Sequence, residues 1–154
     1  MKVFIGGSIA IDYLDYNVQD ELDKYMQGEL EILIGDAYGI DSLVQKYLTE
    51  NSYENVTVYA SNGRARNNIG GWKVQAIDVP SYVHGREFYT QKDMAMTADC
   101  DFGFMIWNEE SKGTQENILR FVLINKGVNV YLPYRRQMKS INCYNDYKYL
   151  LEDL

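Results

Sequence analysis

The sequence predicts an α/β fold: a mostly parallel sheet with helices on both faces. Three observations carry this. Apolar runs of strand length recur along the chain, and residues 102–107 are apolar without interruption, as a strand buried on both faces requires. Three of these runs break into glycine-containing turns. After each turn the apolar residues return at helical spacing, which is the alternation of a parallel sheet with crossover helices.

The elements follow in order. Residues 2–6 form a first strand that ends in Gly6, Gly7 and Ser8. A helix over 17–27 carries Val18, Leu22, Tyr25 and Met26 on one face, and Gly28 stops it. The second strand is 31–35, and the turn 36–39 leads to a helix with Leu43, Val44, Tyr47 and Leu48. A third strand spans 56–60. Residues 64–72, rich in Arg, Asn and Gly, have no periodicity and read as a loop. The alternating segment 72–79 is a fourth strand. Pro80 opens a connection to a helix over 86–99, followed by the strand 102–107 and a helix over 114–125. A further strand, 128–132, ends at Pro133. The last helix shows a stripe of Tyr147, Leu150, Leu151 and Leu154.

The 154 residues suit a single domain, 1–154. With 46% hydrophobic and 24% charged residues the composition is that of an ordinary globular chain. The net charge of −7 repels phosphate backbones, so nucleic acid is a disfavoured partner. Nothing in the composition opposes a homo-oligomer. The 14 tyrosines read as strand and surface usage, with one or two available to stack on a ligand's base. Cys100, Cys143 and the single His84 lack metal-ligand spacing, so no metal site is expected, and Cys100 is expected in the core. The N-terminus reads as a strand rather than a signal peptide. No apolar run approaches the roughly 20 residues of a membrane span. A cytoplasmic location is the resulting expectation.

Ligands of open α/β sheets bind at the C-terminal edge of the strands, so the turns there are the candidate sites. Gly6, Gly7 and Ser8 allow close backbone approach to a ligand, or form a tight turn with none. In the second turn, between Gly35 and Gly39, Asp36 is a helix cap or an acceptor for a ribose hydroxyl, and Asp41 favours the helix dipole or, with Gly39, joins the ligand-binding residues. Arg64, Arg66 and Asn67 form the densest positive spot before residue 100 and suit phosphate or carboxylate. The strongest candidate is the turn Ser111, Lys112, Gly113, Thr114. Its hydroxyls, backbone amides and lysine can hold an anion, and Glu116 can accept ribose hydroxyls or act as a carboxylate catalyst. A plain cap by Thr114, with Asn117 facing water, is the competing reading. The lysine precedes the glycine, so this is not a P-loop, and no cofactor is called for. Lys92 and Asp93 read as a surface ion pair of little value.

Three segments resemble the DNA-processing-protein/Lonely-Guy (SLOG) superfamily of Rossmann-like nucleotide-binding proteins. FIGGS at 4–8 resembles its first strand and turn. GDAYGIDSLVQ at 35–45 is similar to the G-x-A-x-G-I-D segment of the DNA-processing branch. KDMAMTADCDFGFMIWNEESKGTQEN at 92–117 is similar to the cytokinin-activating branch, with its P-G-G-x-G-T-x-x-E. The resemblance implies a Rossmann-like three-layer α/β/α fold. It also implies a nucleotide, or a small molecule derived from one, bound at the strand edge, for sensing or sequestration. The hydrolase branch cleaves the N-glycosidic bond of nucleoside 5′-monophosphates, so an N-glycosidase with Glu116 or Asp36 as its carboxylate is the alternative. Lys92 stands where that branch has an arginine, which places it among the ligand-binding residues. The motif's glutamate falls on Asn117, and an amide cannot serve as nucleophile or base.

Overall fold

Alternating side chains of the first strand set the layers. In β1 (Lys2–Gly7), Val3 and Ile5 enter one cluster of buried residues and Phe4 the other, because successive strand residues point to opposite faces. The computed structural model describes residues 1–152. In it β1 pairs in parallel with β2 (Glu31–Ile34) on one side and β5 (Phe102–Ile106) on the other. With β3 (Val56–Ser61), β4 (Lys73–Ile77), β6 (Val128–Leu132) and β7 (Gln137–Ile141) these form a seven-stranded sheet in the order β4-β3-β2-β1-β5-β6-β7. All pairs are parallel except β6–β7.

Helices α1 (Tyr16–Gln27) and α2 (Ile40–Glu50) cover the Val3/Ile5 face. Helices α3 (Gly85–Asp99), α4 (Lys112–Leu123) and α5 (Tyr144–Glu152) cover the Phe4 face. The expected Rossmann-like three-layer α/β/α arrangement is therefore present. Asp15 starts α1, its carboxylate accepting from the Val18 amide at 3.1 Å. Val18, Leu22 and Tyr25 then bury against the sheet.

Three features depart from expectation. α4 begins at Lys112, two residues early, so Thr114 lies inside the first turn and does not cap it. β7 was not foreseen. Its sequence QMKSI is polar, and only Ile141 is buried, because it is an outer strand with one side open. The Leu154 of the expected last stripe lies outside the described residues.

The chain adds β2, β3 and β4 on one side of β1, then returns through α3 to place β5 on the other. Ligand clefts open at such a reversal of strand order, here beside β1. The β3–β4 crossover is made by residues 62–72 without a helix. Trp72 pins it, buried in the α1/α2 cluster with its indole donating to the Tyr53 carbonyl at 2.9 Å. No helix of the described residues is long and apolar enough to cross a membrane.

Packing across the sheet is tight at Gly103. A Cβ there would lie 2.3 Å from the Phe121 ring, which itself sits 5.9 Å from the ring of Phe4. Gly103→Ala should destabilise the protein by about 1–3 kcal/mol, measured as a lower urea midpoint with an unchanged slope. An unaltered midpoint would mean that α4 is not seated on β5 in this way.

Candidate functional site

At the switch point the C-terminal ends of β1, β2 and β5 open into a cleft of about 630 Å³. β1 contributes Gly6 and Gly7, and the turn after β2 contributes Gly35 and Ala37. α3 presents Arg86, Tyr89, Thr90 and Asp93 at i, i+3, i+4 and i+7, the spacing of one helix face. The first turns of α4 supply Ser111, Gly113, Thr114 and Asn117. The three strand-end turns singled out in the sequence thus converge on one edge.

Lys92 lines this cleft and is 4% exposed. The expectation of a surface ion pair with Asp93 is corrected: the pair exists at 3.2 Å, but its ammonium is buried. Two further carboxylates surround it, Asp36 and Asp41, both buried. Burial disfavours the Lys92 charge, yet Asp93, Asp41 and Asp36 outweigh it and hold its pKa above the ordinary value. At Asp41 burial prevails instead. Burial pushes its carboxyl up to about 6, against the lowering effect of Lys92 and the Ala37 amide, which donates to it at 3.1 Å. Gly35 makes this crowding feasible: a Cβ there would lie 2.6 Å from the Asp41 carboxylate and 2.8 Å from the Lys92 ammonium.

Asp36 neither caps α2 nor stands free for a ribose. The N-cap of α2 is Gly39, at φ 72°, where a Cβ would come within 2.3 Å of the Ile9 carbonyl. The Asp36 oxygens are taken by Arg66, from its amide at 2.8 Å and its guanidinium at 2.9 Å. Burial works to raise the Asp36 pKa, but these bonds and the Arg66 charge hold it below the usual carboxylate range. Arg66 in turn lies 4.1 Å over the ring of Tyr89 and lines the cleft. Arg64 is exposed and not part of the lining. Asn67 is turned away as well: its amide donates to Ser42 at 2.6 Å.

The residue that fixes this crossover was not foreseen. Gln45, fully buried on α2, donates to the carbonyls of Gly35 and Asn67 and accepts from the Ile69 amide. Its signal was available: Asp41 and Gln45 are four apart, one step round from the Ile40–Val44–Leu48 stripe, so they share a helix face.

The third turn is built around Asn108, also unforeseen. Its side-chain oxygen accepts from the amides of Glu110 and Ser111 at 3.0 and 2.9 Å. Ser8 Oγ donates to the same oxygen at 3.1 Å. Ser8 is 1% exposed and staples the β1 turn to the β5 turn rather than lining the cleft. Ser111 is the N-cap of α4, but no side chain caps the helix, because its hydroxyl faces Ser8 and Thr114 instead. The start of α4 is therefore open to the cleft at Gly113. Lys112 is exposed and outside the lining.

Asn117 is buried, correcting the reading in which it faces water. It donates to Asp93 at 3.3 Å and accepts from Arg120. Glu116, one residue earlier, does not line the cleft. It pairs with Arg86 at 2.5 Å and Arg120 at 3.8 Å, half exposed. The carboxylate facing the cleft from this corner is Asp93, which spacing alone had assigned to the surface.

No family model matches the chain, and no curated protein matches it.

Between about pH 4 and pH 6 folded Asp41 holds a proton that the unfolded chain has released, so its contribution to stability falls as pH rises through that window. Asp41→Asn keeps an acceptor for the Ala37 amide and removes the titration. The variant should exceed the wild type by up to about 3 kcal/mol at pH 7.5 and match it near pH 4, in thermal melts across pH. A constant offset at every pH would dismiss the shifted Asp41.

Proposed function

We propose that the chain binds a nucleotide, or a small molecule derived from one, in the cleft beside β1. The observation that carries this reading is the start of α4: an uncapped helix N-terminus opening, at Gly113, into a cleft at the switch point. Free amides and the positive end of the helix dipole favour a phosphate there. A Cβ on Gly113 would meet no atom within 4 Å, so the fold itself leaves this approach clear. The volume, about 630 Å³, suits a ligand of nucleotide size. Tyr89, with Arg66 over its ring, offers a flat surface near the mouth on which a base can stack. The likeness of residues 92–117 to the SLOG superfamily points the same way.

Binding is favoured over N-glycoside hydrolysis. Glu116 is engaged by Arg86 and Arg120 and does not line the cleft, and an amide occupies position 117. Incubation with the common nucleoside 5′-monophosphates should release no free base by chromatography. Sustained turnover would replace the binding reading with an enzymatic one.

Gly113→Val should leave the fold intact and weaken a nucleoside 5′-monophosphate at least about tenfold by calorimetry, since one charge-assisted contact is lost. The bare nucleoside should be much less affected. Equal weakening of both would remove the start of α4 from phosphate recognition.

A further inference from the structure

Asp93 is the carboxylate that faces the cleft beside Asn117. Lys92 Nζ lies 3.2 Å from its Oδ1, and Asn117 donates to its Oδ2 at 3.3 Å. Among the described residues each oxygen has one protein donor, which leaves lone pairs on both, and the side chain keeps 23% of its exposure. Both partners are buried, and Asn117 is itself held by Arg120. The carboxylate is therefore gripped from both sides but not enclosed. A carboxylate only accepts hydrogen bonds, so its complement is a pair of neighbouring donors.

Its position selects which part of a nucleotide supplies them. Asn117 is one turn along α4 from Gly113, about 6 Å at 1.5 Å per residue. The sugar is the group attached directly to a 5′-phosphate, and the base lies beyond it. A phosphate on the start of α4 thus brings ribose hydroxyls, rather than base edges, to the depth of Asp93. The two acidic residues named from the sequence for that task are engaged elsewhere, Asp36 by Arg66 and Glu116 by Arg86 and Arg120.

We infer that Asp93, fixed between Lys92 and Asn117, accepts hydrogen bonds from the 2′- and 3′-hydroxyls of the ligand's ribose, and so makes the cleft selective for ribonucleotides. The inference rests on the nucleotide reading and adds the sugar to it. A site built to bond a hydroxyl rejects the analogue that lacks it, because its polar groups are then left without partners. Since Asp93 keeps some contact with water, the discrimination is moderate, about 10- to 100-fold in affinity.

The test uses calorimetry with the four common ribonucleoside 5′-monophosphates and their 2′,3′-dideoxy counterparts. The wild type should bind at least one ribonucleotide at least about tenfold tighter than its dideoxy analogue. Asp93→Ala and the near-isosteric Asp93→Asn should bring the ribonucleotide down to the level of its dideoxy counterpart in the same variant. The wild-type comparison stands even if a variant does not fold. Equal binding of both sugars by the wild type would overturn the inference and leave nucleotide binding standing. Undiminished preference in a folded Asp93 variant would overturn it also. Binding of neither sugar would remove the nucleotide reading and the inference with it.

Discussion

The site is organised by the need to neutralise one buried ammonium. Lys92 reaches from α3 beneath the turn after β2, where it is 4% exposed. A buried charge is tolerated only with partners, and the partners come from three elements: Asp93 from α3, Asp41 from α2 and Asp36 from the β2 turn. Their mutual attraction therefore joins both faces of the sheet at its C-terminal edge. Such a cluster is weak evidence for stability, since desolvation offsets the attraction. Apolar residues would hold the same elements together at lower cost. Lys92, Asp93 and Asp41 instead lie on the wall of the cleft beside β1.

The neighbouring contacts extend this arrangement outward. Asp36 faces Lys92 electrostatically and bonds Arg66, which fixes the helix-free crossover 62–72. Gln45 secures the same crossover from beneath, bonding Gly35 and Asn67 with one amide. Arg66 thereby reaches Tyr89 on α3 and closes one side of the cleft. On the other side Ser8 and Asn108 join the turns of β1 and β5 and aim the start of α4 inward. Polar side chains thus serve as internal struts, while Arg66, Arg86, Tyr89, Thr90, Asp93 and the α4 terminus face the cleft.

Most of the fold was legible because buried parallel strands write themselves as apolar runs, as at residues 102–106, and crossover helices as stripes such as Val18–Leu22–Tyr25. The polar edge strand β7 carries no such signal, since what holds it is backbone pairing with β6. The location of the cleft was also legible, because small residues at strand ends mark it. The division of tasks within it was not. Whether Asp36 meets a ligand or Arg66, and whether Lys92 is on the surface or buried, depends on which elements lie opposite. Residue type at a given spacing does not carry that. Ser8 and Asn67, read as ligand contacts, are anchored to Asn108 and Ser42.

The pair Glu116–Asn117 shows how far one residue matters on a helix. Adjacent residues are about 100° apart round the axis, and here that rotation separates two environments. Asn117 points between α3 and α4 and meets Asp93, whereas Glu116 points outward to Arg86 and Arg120. At this corner the acidic group that faces the cleft is carried on α3, as Asp93, and is held by the amide at 117. A carboxylate gripped by Lys92 and Asn117 has little freedom to approach a reacting centre, but it is well held for accepting hydrogen bonds. The same geometry that weakens the case for hydrolysis strengthens the case for recognition.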